Sequence, residues 1–283
     1  FNLLKQFFPD LNGKVNALIV KETDVISTGK FTLSFYFAPM VHWPEVMMTY
    51  IKELKTIFTA DAFGKFGSLL VNEPWIDEAR KYYMCIVAKY GLFVQNLLKK
   101  ISGLEIERIC SLHGPVIEEN IKYYLNKYNI WSSYQVEEPG ILIAFTSIYG
   151  HTKKAAFLLK EKLEKLGVKN IFIYDISRSD TYEVLMRAFM VSTIVFASTT
   201  YNASLFPAME HFLGALTERN LQNKNIAIIQ NGSWGPIVAS EIKYKFAQSK
   251  NINWIEPNVT IISALNNSSL STLEALADSI AKL

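Results

Sequence analysis

The chain has 283 residues, of which 50% are hydrophobic and 19% are charged, with 29 Lys and Arg against 26 Asp and Glu. A chain this apolar can bury real cores, which excludes disorder as its main state. The formal charge of +3 is too small to indicate a nucleic acid or an anionic membrane as a partner. No apolar run approaches the roughly 20 residues of a membrane-spanning helix. At roughly 100–200 residues per domain, the length predicts two domains.

The two cysteines and the first residues indicate where the protein resides and how it begins. Cys85 and Cys110 are too few for a disulfide framework, so we expect a reducing compartment and a cytoplasmic protein. The chain starts at Phe1 rather than Met, and its first eight residues read as the middle of an amphipathic helix without an N-cap. We therefore expect this sequence to be the remainder of a longer protein.

The first predicted domain, residues 1–137, mixes strands and helices in no regular order. Alternating apolar residues predict a half-buried strand over 31–37. The other elements predicted there are helices over 78–91 and 92–100, a strand over 109–112 and a helix through Tyr123 and Tyr124. The pattern breaks around residues 131–140, which places the domain boundary between residues 137 and 138.

The second predicted domain, residues 138–283, alternates strands and helices with regularity. The five short apolar strands are predicted over 141–145, 170–174, 193–197, 225–230 and 259–263. Helices between such strands imply a parallel α/β sheet that is covered on both faces. The first helix places Ala155, Leu159, Leu163 and Leu166 on one face and stops before Gly167.

A hydroxyl-rich loop follows the first of these strands and leads into the first helix. It contains Ser147, Gly150 and Thr152, and it has no Lys or Arg. Hydroxyl groups beside the unpaired N–H groups at the positive end of a helix suit a phosphate dianion. Neutral donors would therefore hold the phosphate. The alternative interpretation is a plain Ser/Thr-rich helix cap.

Two further loops follow the third and fourth strands, and each presents an aromatic residue, Tyr201 or Trp234, beside hydroxyls and amides. All three loops lie at the carboxyl ends of parallel strands, where such sheets bind ligands. Together they predict a flat ring with a phosphate tail as the ligand. For either aromatic alone, ordinary partial burial is the alternative. The candidate ligand-binding residues are Ser147, Ile148, Tyr149, Gly150, His151, Thr152, Thr199, Thr200, Tyr201, Asn202, Asn231, Gly232, Ser233, Trp234 and Gly235.

These loops make residues 140–283 similar to a flavodoxin, and most similar to the flavodoxin domain of the flavodiiron proteins, also called A-type flavoproteins. The resemblance implies a five-stranded, doubly wound parallel sheet with strand order 2-1-3-4-5 and FMN as the cofactor. It also implies that residues 147–152 hold the phosphate and that the other two loops hold the isoalloxazine. The sequence departs from the family at His151, where Asn or Ser is more usual.

Three segments of the first domain resemble the same family. Met-Val-His-Trp-Pro-Glu-Val-Met at 40–47, Asp-Ala-Phe-Gly at 61–64 and Ser-Leu-His-Gly at 111–114 are similar to its metal-binding segments. The resemblance implies a metallo-β-lactamase-like αββα domain in which His42 binds one iron, Asp61 bridges both and His113 binds the other. Imidazole and carboxylate suit non-haem iron, and a carboxylate can bridge two cations. The alternative is that both histidines are satisfied core residues at strand ends.

The family also has a His-x-Glu-x-Asp-x-x-His motif, which residues 1–283 do not contain. We expect this motif to precede Phe1, on another chain, a cleaved segment or a swapped neighbour, since three ligands cannot hold two irons. The αββα domain is therefore expected to be partial. Half of such a sandwich leaves an apolar sheet face uncovered.

The resemblance implies a flavodiiron oxidoreductase that passes electrons from FMN to a non-haem diiron centre and reduces O2 to water, NO to N2O, or both. We expect a head-to-tail homodimer or tetramer. We also expect a separate electron donor such as rubredoxin or a reductase, because the chain ends at Leu283 without a Cys-x-x-Cys segment. Two alternatives stay open: an FMN electron carrier without a functional metal site, and a metallo-β-lactamase-type hydrolase that needs no redox cofactor.

Overall fold

Two β-sheets organise the chain in the computed structural model, which describes residues 2–11, 13–71 and 73–283. Phe1, where we expect a longer chain to continue, lies outside the described residues. The strands of the first sheet are β1 (Val25–Ser27), β2 (Thr32–Phe37), β3 (Met47–Ile51), β4 (Thr56–Phe58) and β5 (Arg108–Cys110). They lie in the order β1-β2-β3-β4-β5, with β4 and β5 parallel and the other pairs antiparallel.

The helical segments of this part are α1 (Asn2–Phe7), 3-10 turns (Pro9–Leu11, Lys52–Leu54 and Ala88–Tyr90), α2 (Trp75–Tyr82), a π-helical turn (Tyr83–Val87), α3 (Gly91–Ile101) and α4 (Ile121–Ser132). Those from α2 onward share a hydrophobic cluster with one face of the first sheet, whereas α1 and the turn Pro9–Leu11 contain no buried residue. The alternation of the strands buries Met48, Tyr50, Ile57 and Ile109 on the helical side. On the opposite face the side chains of Met47 and Phe58 are exposed.

The second sheet is the predicted parallel sheet. Its strands are β6 (Glu138–Phe145), β7 (Ile171–Asp175), β8 (Val191–Tyr201), β10 (Lys224–Asn231), β11 (Ile252–Trp254) and β12 (Val259–Ile261), with a short β9 (Ser204–Leu205) antiparallel to β8. The parallel order is β11-β10-β8-β6-β7, and β12 also pairs with β10. Counted as the five predicted strands, this is the order 2-1-3-4-5, so the flavodoxin-like prediction is confirmed.

Helices cover both faces of the second sheet. They are α5 (His151–Lys165), α6 (Thr181–Met190), α7 (Pro207–Glu218), α8 (Val238–Lys245) and α9 (Asn267–Ala281). α5 and α9 form one hydrophobic layer, with Leu159, Leu163 and Leu273 buried in it. On the other face, α6, α7 and α8 share one continuous hydrophobic cluster with α2, α3 and α4. The boundary between residues 137 and 138 stays a prediction, since this cluster extends across it.

Three details of the prediction were wrong. The pattern break at Pro139 and Gly140 lies inside β6, where the pairing with β8 shifts register between Glu138 and Ile141. The fifth predicted strand ends at Ile261 as β12, and the short strand β11 before it was not predicted. Leu166 is about half exposed, since α5 ends at Lys165.

A buried charged cluster joins α2, α4 and the residue before β6. The carboxylate of Glu137 accepts hydrogen bonds from Arg80, Lys127 and Trp131. Burial alone would raise the pKa of Glu137, but the hydrogen bonds and charge of Arg80, with those of Lys127 and Trp131, lower it to about 2. Close by, Lys224 at the start of β10 donates to the backbone oxygens of Phe189 and Val191. Burial lowers the pKa of Lys224 to about 7, although the charge of Glu137 acts in the opposite direction.

Within the part of the chain that the structure describes, no helix combines the length and the apolar character needed to cross a membrane.

Candidate functional site

A cavity of about 990 Å³ opens at the carboxyl edge of the second sheet. Its walls are the loop after β6, the last residues of β8 and β10, and the segments that follow these two strands. It is lined by Ile148, Tyr149, His151, Thr152, Thr199, Thr200, Tyr201, Asn202, Ala203, Asn231, Gly232, Ser233, Trp234, Gly235 and Ser263. Thirteen of these are candidate ligand-binding residues from the sequence; Ser147 and Gly150 do not line it, while Ala203 and Ser263 were not predicted. That these residues contact FMN stays a prediction.

The loop after β6 is shaped as an anion site requires. Gly150 has a φ of +87°, a conformation that glycine adopts without a steric penalty, and its N–H donates to Ser147 Oγ at 3.1 Å. α5 begins at the next residue, His151, so the N–H groups of its first turn have no acceptor within the helix. Ser147 and Gly150 thus shape the loop, while the residues after them line the cavity.

Hydrogen bonds between side chains tie the three loops together. Thr146 Oγ1 and Ser198 Oγ lie 2.8 Å apart in the interior, and Asn231 Nδ2 donates to Thr152 Oγ1 at 3.3 Å. Thr200 Oγ1 accepts from the N–H of Ile237 at 3.1 Å. These bonds link the ends of β6, β8 and β10 to one another, so the loops form one continuous cavity wall.

The aromatic loops are built on two tight backbone features. Asn202 and Ala203 both have positive φ, at 49° and 55°, and form the two-residue turn between β8 and β9. A Cβ on Gly232 would lie 2.9 Å from the Cα of Pro236 and 3.1 Å from Thr200 Oγ1, so only glycine fits there without a shift. The loops are thereby held close together at the cavity.

Ser263 was missed by the sequence reasoning. Its φ is +64°, its hydroxyl donates to Ser233 Oγ at 2.8 Å, and its carbonyl accepts from Asn231 Nδ2 at 3.2 Å. The rule that ligands bind at the carboxyl ends of parallel strands could have found it, since it follows β12.

The cavity presents aromatic rings and neutral polar groups. The side chains of Tyr149 and Trp234 are 90% and 99% exposed, and Tyr201 is about half exposed. No Lys, Arg, Asp or Glu is among the residues that line the cavity. Flat apolar faces beside hydroxyls, amides and a helix N-terminus fit the ring and the phosphate of a flavin mononucleotide.

His42, Asp61 and His113 lie together at the end of the first sheet. His42 is in the turn between β2 and β3, Asp61 follows β4, and His113 follows β5. His42 Nε2 lies 3.3 Å from Asp61 Oδ2, and His113 Nε2 lies 3.1 Å from Asp61 Oδ1. One carboxylate thus faces two imidazoles, one on each of its oxygens, which is the arrangement that a bridging carboxylate needs.

Close backbone packing holds the loops of Asp61 and His113 together. A Cβ on Gly64 would lie 2.7 Å from the backbone oxygen of His113 and 2.9 Å from that of Asp61. The N–H of Lys65 donates to the same His113 oxygen at 3.2 Å. The glycine after Ala62 and Phe63 is therefore required for the two loops to approach.

The three residues are an incomplete metal-ligand set. Within residues 2–11, 13–71 and 73–283, no three His, Cys, Asp or Glu side chains are grouped so that they could hold one metal ion. Each of two metals would receive only one imidazole nitrogen and one carboxylate oxygen. Metal ions in proteins need more ligands than this: zinc takes four, and iron also takes several. These residues alone do not fit a diiron centre.

Tyr82 lies beside this cluster and was not anticipated from the sequence. Its ring centroid is 6.0 Å from that of His113, and its buried hydroxyl has no hydrogen-bond partner among the described residues. Burial, and then the charge of Asp61, raise the pKa of its hydroxyl. The hydroxyl is therefore a neutral donor at the edge of the cluster.

Comparison with known proteins finds similar sequences and similar structures. No family model matches the chain. The chain is 30% identical over 202 residues to the uncharacterized protein MJ0732 of Methanocaldococcus jannaschii, an alignment that covers 69% of this chain and 51% of that protein. It is 28% identical over 244 residues to the nitric oxide reductase of Moorella thermoacetica, covering 83% of this chain and 60% of that protein. The chain thus spans about half the length of these curated relatives.

Among solved structures, the flavodiiron protein from Giardia intestinalis has the same fold. It matches with a TM-score of 0.85 and 20% identity, covering 99% of this chain and 70% of that one. Sheet order, cavity and comparison define an α/β protein with a flavodoxin-like unit that follows part of a metallo-β-lactamase-like unit. The chain thus has the fold of a flavodiiron protein, and its relatives by sequence include nitric oxide reductases.

Proposed function

We propose that this chain is the FMN-binding part of a flavodiiron oxidoreductase, which uses electrons from FMN and a non-haem diiron centre to reduce O2 to water, NO to N2O, or both. The observation that supports it best is the cavity at the carboxyl edge of the parallel sheet, with its helix N-terminus and its aromatic loops. The name of the Moorella relative, a nitric oxide reductase, supports the same class of reaction.

In this proposal the chain's own residues hold and shield the cofactor. The loop 147–152 and the first turn of α5 bind the phosphate through N–H and hydroxyl groups, and Ser147 and Gly150 keep that loop in shape. The loops of Tyr201 and Trp234 hold the isoalloxazine. When bound, FMN supplies one- and two-electron transfer, and the aromatic walls limit the access of water to its ring.

His42, Asp61 and His113 would contribute part of the metal-ligand set, with the carboxylate of Asp61 shared. Because they do not fit two irons by themselves, the proposal requires further ligands from residues other than those described here. The expected His-x-Glu-x-Asp-x-x-His motif would supply them.

The proposal extends to location and partners. The two cysteines form no disulfide, which supports a reducing cytoplasm. The expected electron donor is rubredoxin or a reductase, and the expected assembly is a head-to-tail homodimer or tetramer.

The second candidate function is an FMN electron carrier with no functional metal site. The incomplete ligand set favours it, since the described residues offer no group of three metal ligands. A metallo-β-lactamase-type hydrolase finds less support, because it would leave the flavin-sized cavity without a role.

Flavin and metal analysis tests the proposal. The protein, prepared without oxygen and then freed of flavin, is titrated with FMN while the flavin fluorescence is followed, and its iron is measured. We expect one FMN per chain to bind with quenched fluorescence. Failure to bind FMN would overturn the proposal. FMN binding without iron, in a sample whose mass shows that upstream residues are present, would favour the electron carrier.

A further inference from the structure

Six aromatic side chains form a continuous ring series through α2, the π-helical turn and α4. Its members are Tyr83, Tyr128, Trp131, Trp75, Tyr124 and Tyr123. The inner end is Tyr128, whose hydroxyl accepts the N–H of Phe63, two residues after Asp61, at 2.7 Å. The ring centroid of Trp131 lies 5.5 Å from that of Tyr128, and the rings of Trp131 and Trp75 are stacked at 5.8 Å. The buried half of the series thus begins beside the loop of Asp61.

The outer half of the ring series leads to the surface. The ring centroid of Trp75 lies 4.6 Å from that of Tyr124, which in turn lies 5.3 Å from that of Tyr123. Trp75 and Tyr124 are half-buried, whereas 43% of Tyr123 is exposed. Burial therefore decreases from ring to ring, and the series joins the interior beside Asp61 to the solvent.

Each member of the ring series can lose a single electron. The chain has 18 Phe against 14 Tyr and 5 Trp, yet all six members are Tyr or Trp. A Phe ring packs as well in an aromatic core, but it is much harder to oxidise. Core packing alone, which is the alternative interpretation, does not require this composition. The composition favours electron transfer along the series.

Hydrogen bonds hold the protons of both indoles. Trp131 Nε1 donates to Glu137 Oε2 at 2.8 Å. Trp75 Nε1 donates to the backbone oxygen of Phe63 at 3.1 Å. The carboxylate of Glu137 also places a negative charge beside the ring of Trp131, although Arg80 offsets part of it. Both indoles can therefore pass an electron on without releasing a proton.

The tyrosines differ in how readily they release a proton, which a phenol loses when it is oxidised. Burial raises the pKa of the hydroxyls of Tyr83 and Tyr128, so these two hold their protons firmly. Tyr123 is exposed, so its proton can pass to water. The ammonium of Lys127, which lies 5.5 Å from the ring centroid of Tyr123, disfavours a positive charge on that ring. The end point of oxidation is therefore a neutral radical on Tyr123.

We propose that the ring series carries single electrons from Tyr123 to one-electron oxidants formed near Asp61, and thereby protects the buried side chains there from oxidation. The inference rests on the proposed function, because the stepwise reduction of O2 is a source of one-electron oxidants.

The electrons and protons of this transfer balance. The oxidant gains one electron, which comes from Tyr123 by way of the intervening rings. Tyr123 loses that electron, and its phenolic proton passes to water. A soluble hydrogen-atom donor such as a thiol then returns one electron and one proton, which restores Tyr123 and leaves a thiyl radical in solution.

A photo-oxidant attached at the inner end tests the route. Cys110 lies at the end of β5, and its carbonyl accepts the N–H of Thr59, two residues before Asp61, at 3.0 Å. In Cys85→Ser, Cys110 is the only cysteine of residues 1–283, so a thiol-reactive ruthenium polypyridyl complex labels one site. A light flash with a soluble electron acceptor converts the complex to its Ru(III) form. A nitroso spin trap and peptide mass spectrometry then identify the side chain that holds the radical.

We expect the trap to be found on Tyr123 of the labelled protein. Trp75→Phe keeps a ring of similar shape and should abolish the adduct on Tyr123, with the radical left on Trp131. Tyr244→Phe is the matched control, because this tyrosine of α8 is 77% exposed and lies outside the ring series. It should leave the adduct on Tyr123 unchanged. Circular dichroism and the free energy of unfolding verify that each variant is folded.

Tyr123→Phe provides a second test at an exposed position, where the change is small enough for the protein to fold. The radical should then be trapped on Trp75 or Tyr124. An adduct on Tyr244 in its place would overturn the proposal. So would an adduct on Tyr123 that persists undiminished in Trp75→Phe, or a labelled protein whose radical is never trapped on Tyr123. None of these measurements needs flavin or iron, so failure to bind FMN overturns the proposed function and leaves the route to be judged by its own result.

Discussion

Arg80 and Glu137 form a two-pronged ion pair in the interior of the protein. Arg80 Nε lies 2.6 Å from Glu137 Oε2 and Arg80 Nη2 lies 2.9 Å from Oε1, while only 2% and 1% of the two side chains are exposed. The pair connects α2 to the residue that precedes β6. Because a buried charge without its partner is costly, this contact couples the packing of the first-sheet region to that of the parallel sheet.

Glu137→Gln should destabilise the protein by about 3–5 kcal/mol. The amide keeps the shape of the carboxylate but removes the counter-charge of the partly buried Lys127, and it leaves the buried Arg80 with only the exposed Asp77. The free energy of unfolding from a denaturant titration measures the effect. Glu164→Gln is the matched control, because its partner Lys160 lies four residues before it on the same exposed helix face. That change should cost no more than about 0.5 kcal/mol. Equal losses of unfolding free energy in the two variants would show that the buried ion pair stabilises the protein no more than the exposed one.

The same carboxylate predicts how stability falls in acid. The pKa of Glu137 is lowered from 4.5 to about 2 in the folded protein. Its stabilising contribution is therefore complete above pH 4.5 and is lost as the pH falls through 2, a change of about 3 kcal/mol. Unfolding free energies between pH 5 and 2 should fall more steeply for the original chain than for Glu137→Gln. Parallel curves would contradict the assignment.

Lys224 predicts a change of the same sign at alkaline pH. Its pKa is about 7 when folded and 10.5 when unfolded, so between these values the unfolded chain binds more protons. Stability should therefore rise with pH from about 7 to 10.5 through this group, by an amount on the order of a few kcal/mol. Lys224→Met should lose that rise, whereas Lys169→Met, at an exposed residue, should keep it. The same slope in all three proteins would show that Lys224 is not desolvated.

The sequence predicts the parallel sheet well, because buried strands are continuous apolar runs. The five segments from Ile141 onward are all strands, and the carboxyl ends of β6, β8, β10 and β12 line the cavity. The first sheet was harder to predict. β1, β3 and β4 are three to five residues long and carry little periodicity of their own, since pairing with β2 and β5 determines them.

Residues that matter through distant contacts were also missed. Tyr82, the last residue of α2, lies beside His113 in space although the two are far apart in the chain. Lysine side chains are mostly exposed, so the sequence gives no sign that Lys224 is buried. Its burial depends on backbone carbonyls at the end of α6 and the start of β8, which accept its hydrogen bonds. By contrast, His42, Asp61 and His113 were identified by resemblance, and the structure brings them together.

Ser147→Asp should abolish the retention of FMN. The Oγ of Ser147 accepts the N–H of Gly150 in the loop proposed to hold the phosphate, and a carboxylate there would repel a dianion. Flavin content per chain, measured by absorbance after gel filtration, reports the effect. Ser177→Asp is the control, since this exposed serine follows the neighbouring strand β7 and does not line the cavity. Full flavin content in Ser147→Asp would show that this loop does not hold the phosphate.

Asp61→Ala should remove bound iron and leave FMN in place, because the metal-ligand cluster and the flavin cavity are built from different loops. With the carboxylate gone, His42 and His113 lose the group that both of them face. Iron content in samples prepared without oxygen, set against flavin content in the same samples, separates the two sites. Asp278→Ala, on the surface of α9, should change neither quantity. If the iron of the original chain persists undiminished in Asp61→Ala, the carboxylate does not bridge the metals, and the metal must be held by other residues.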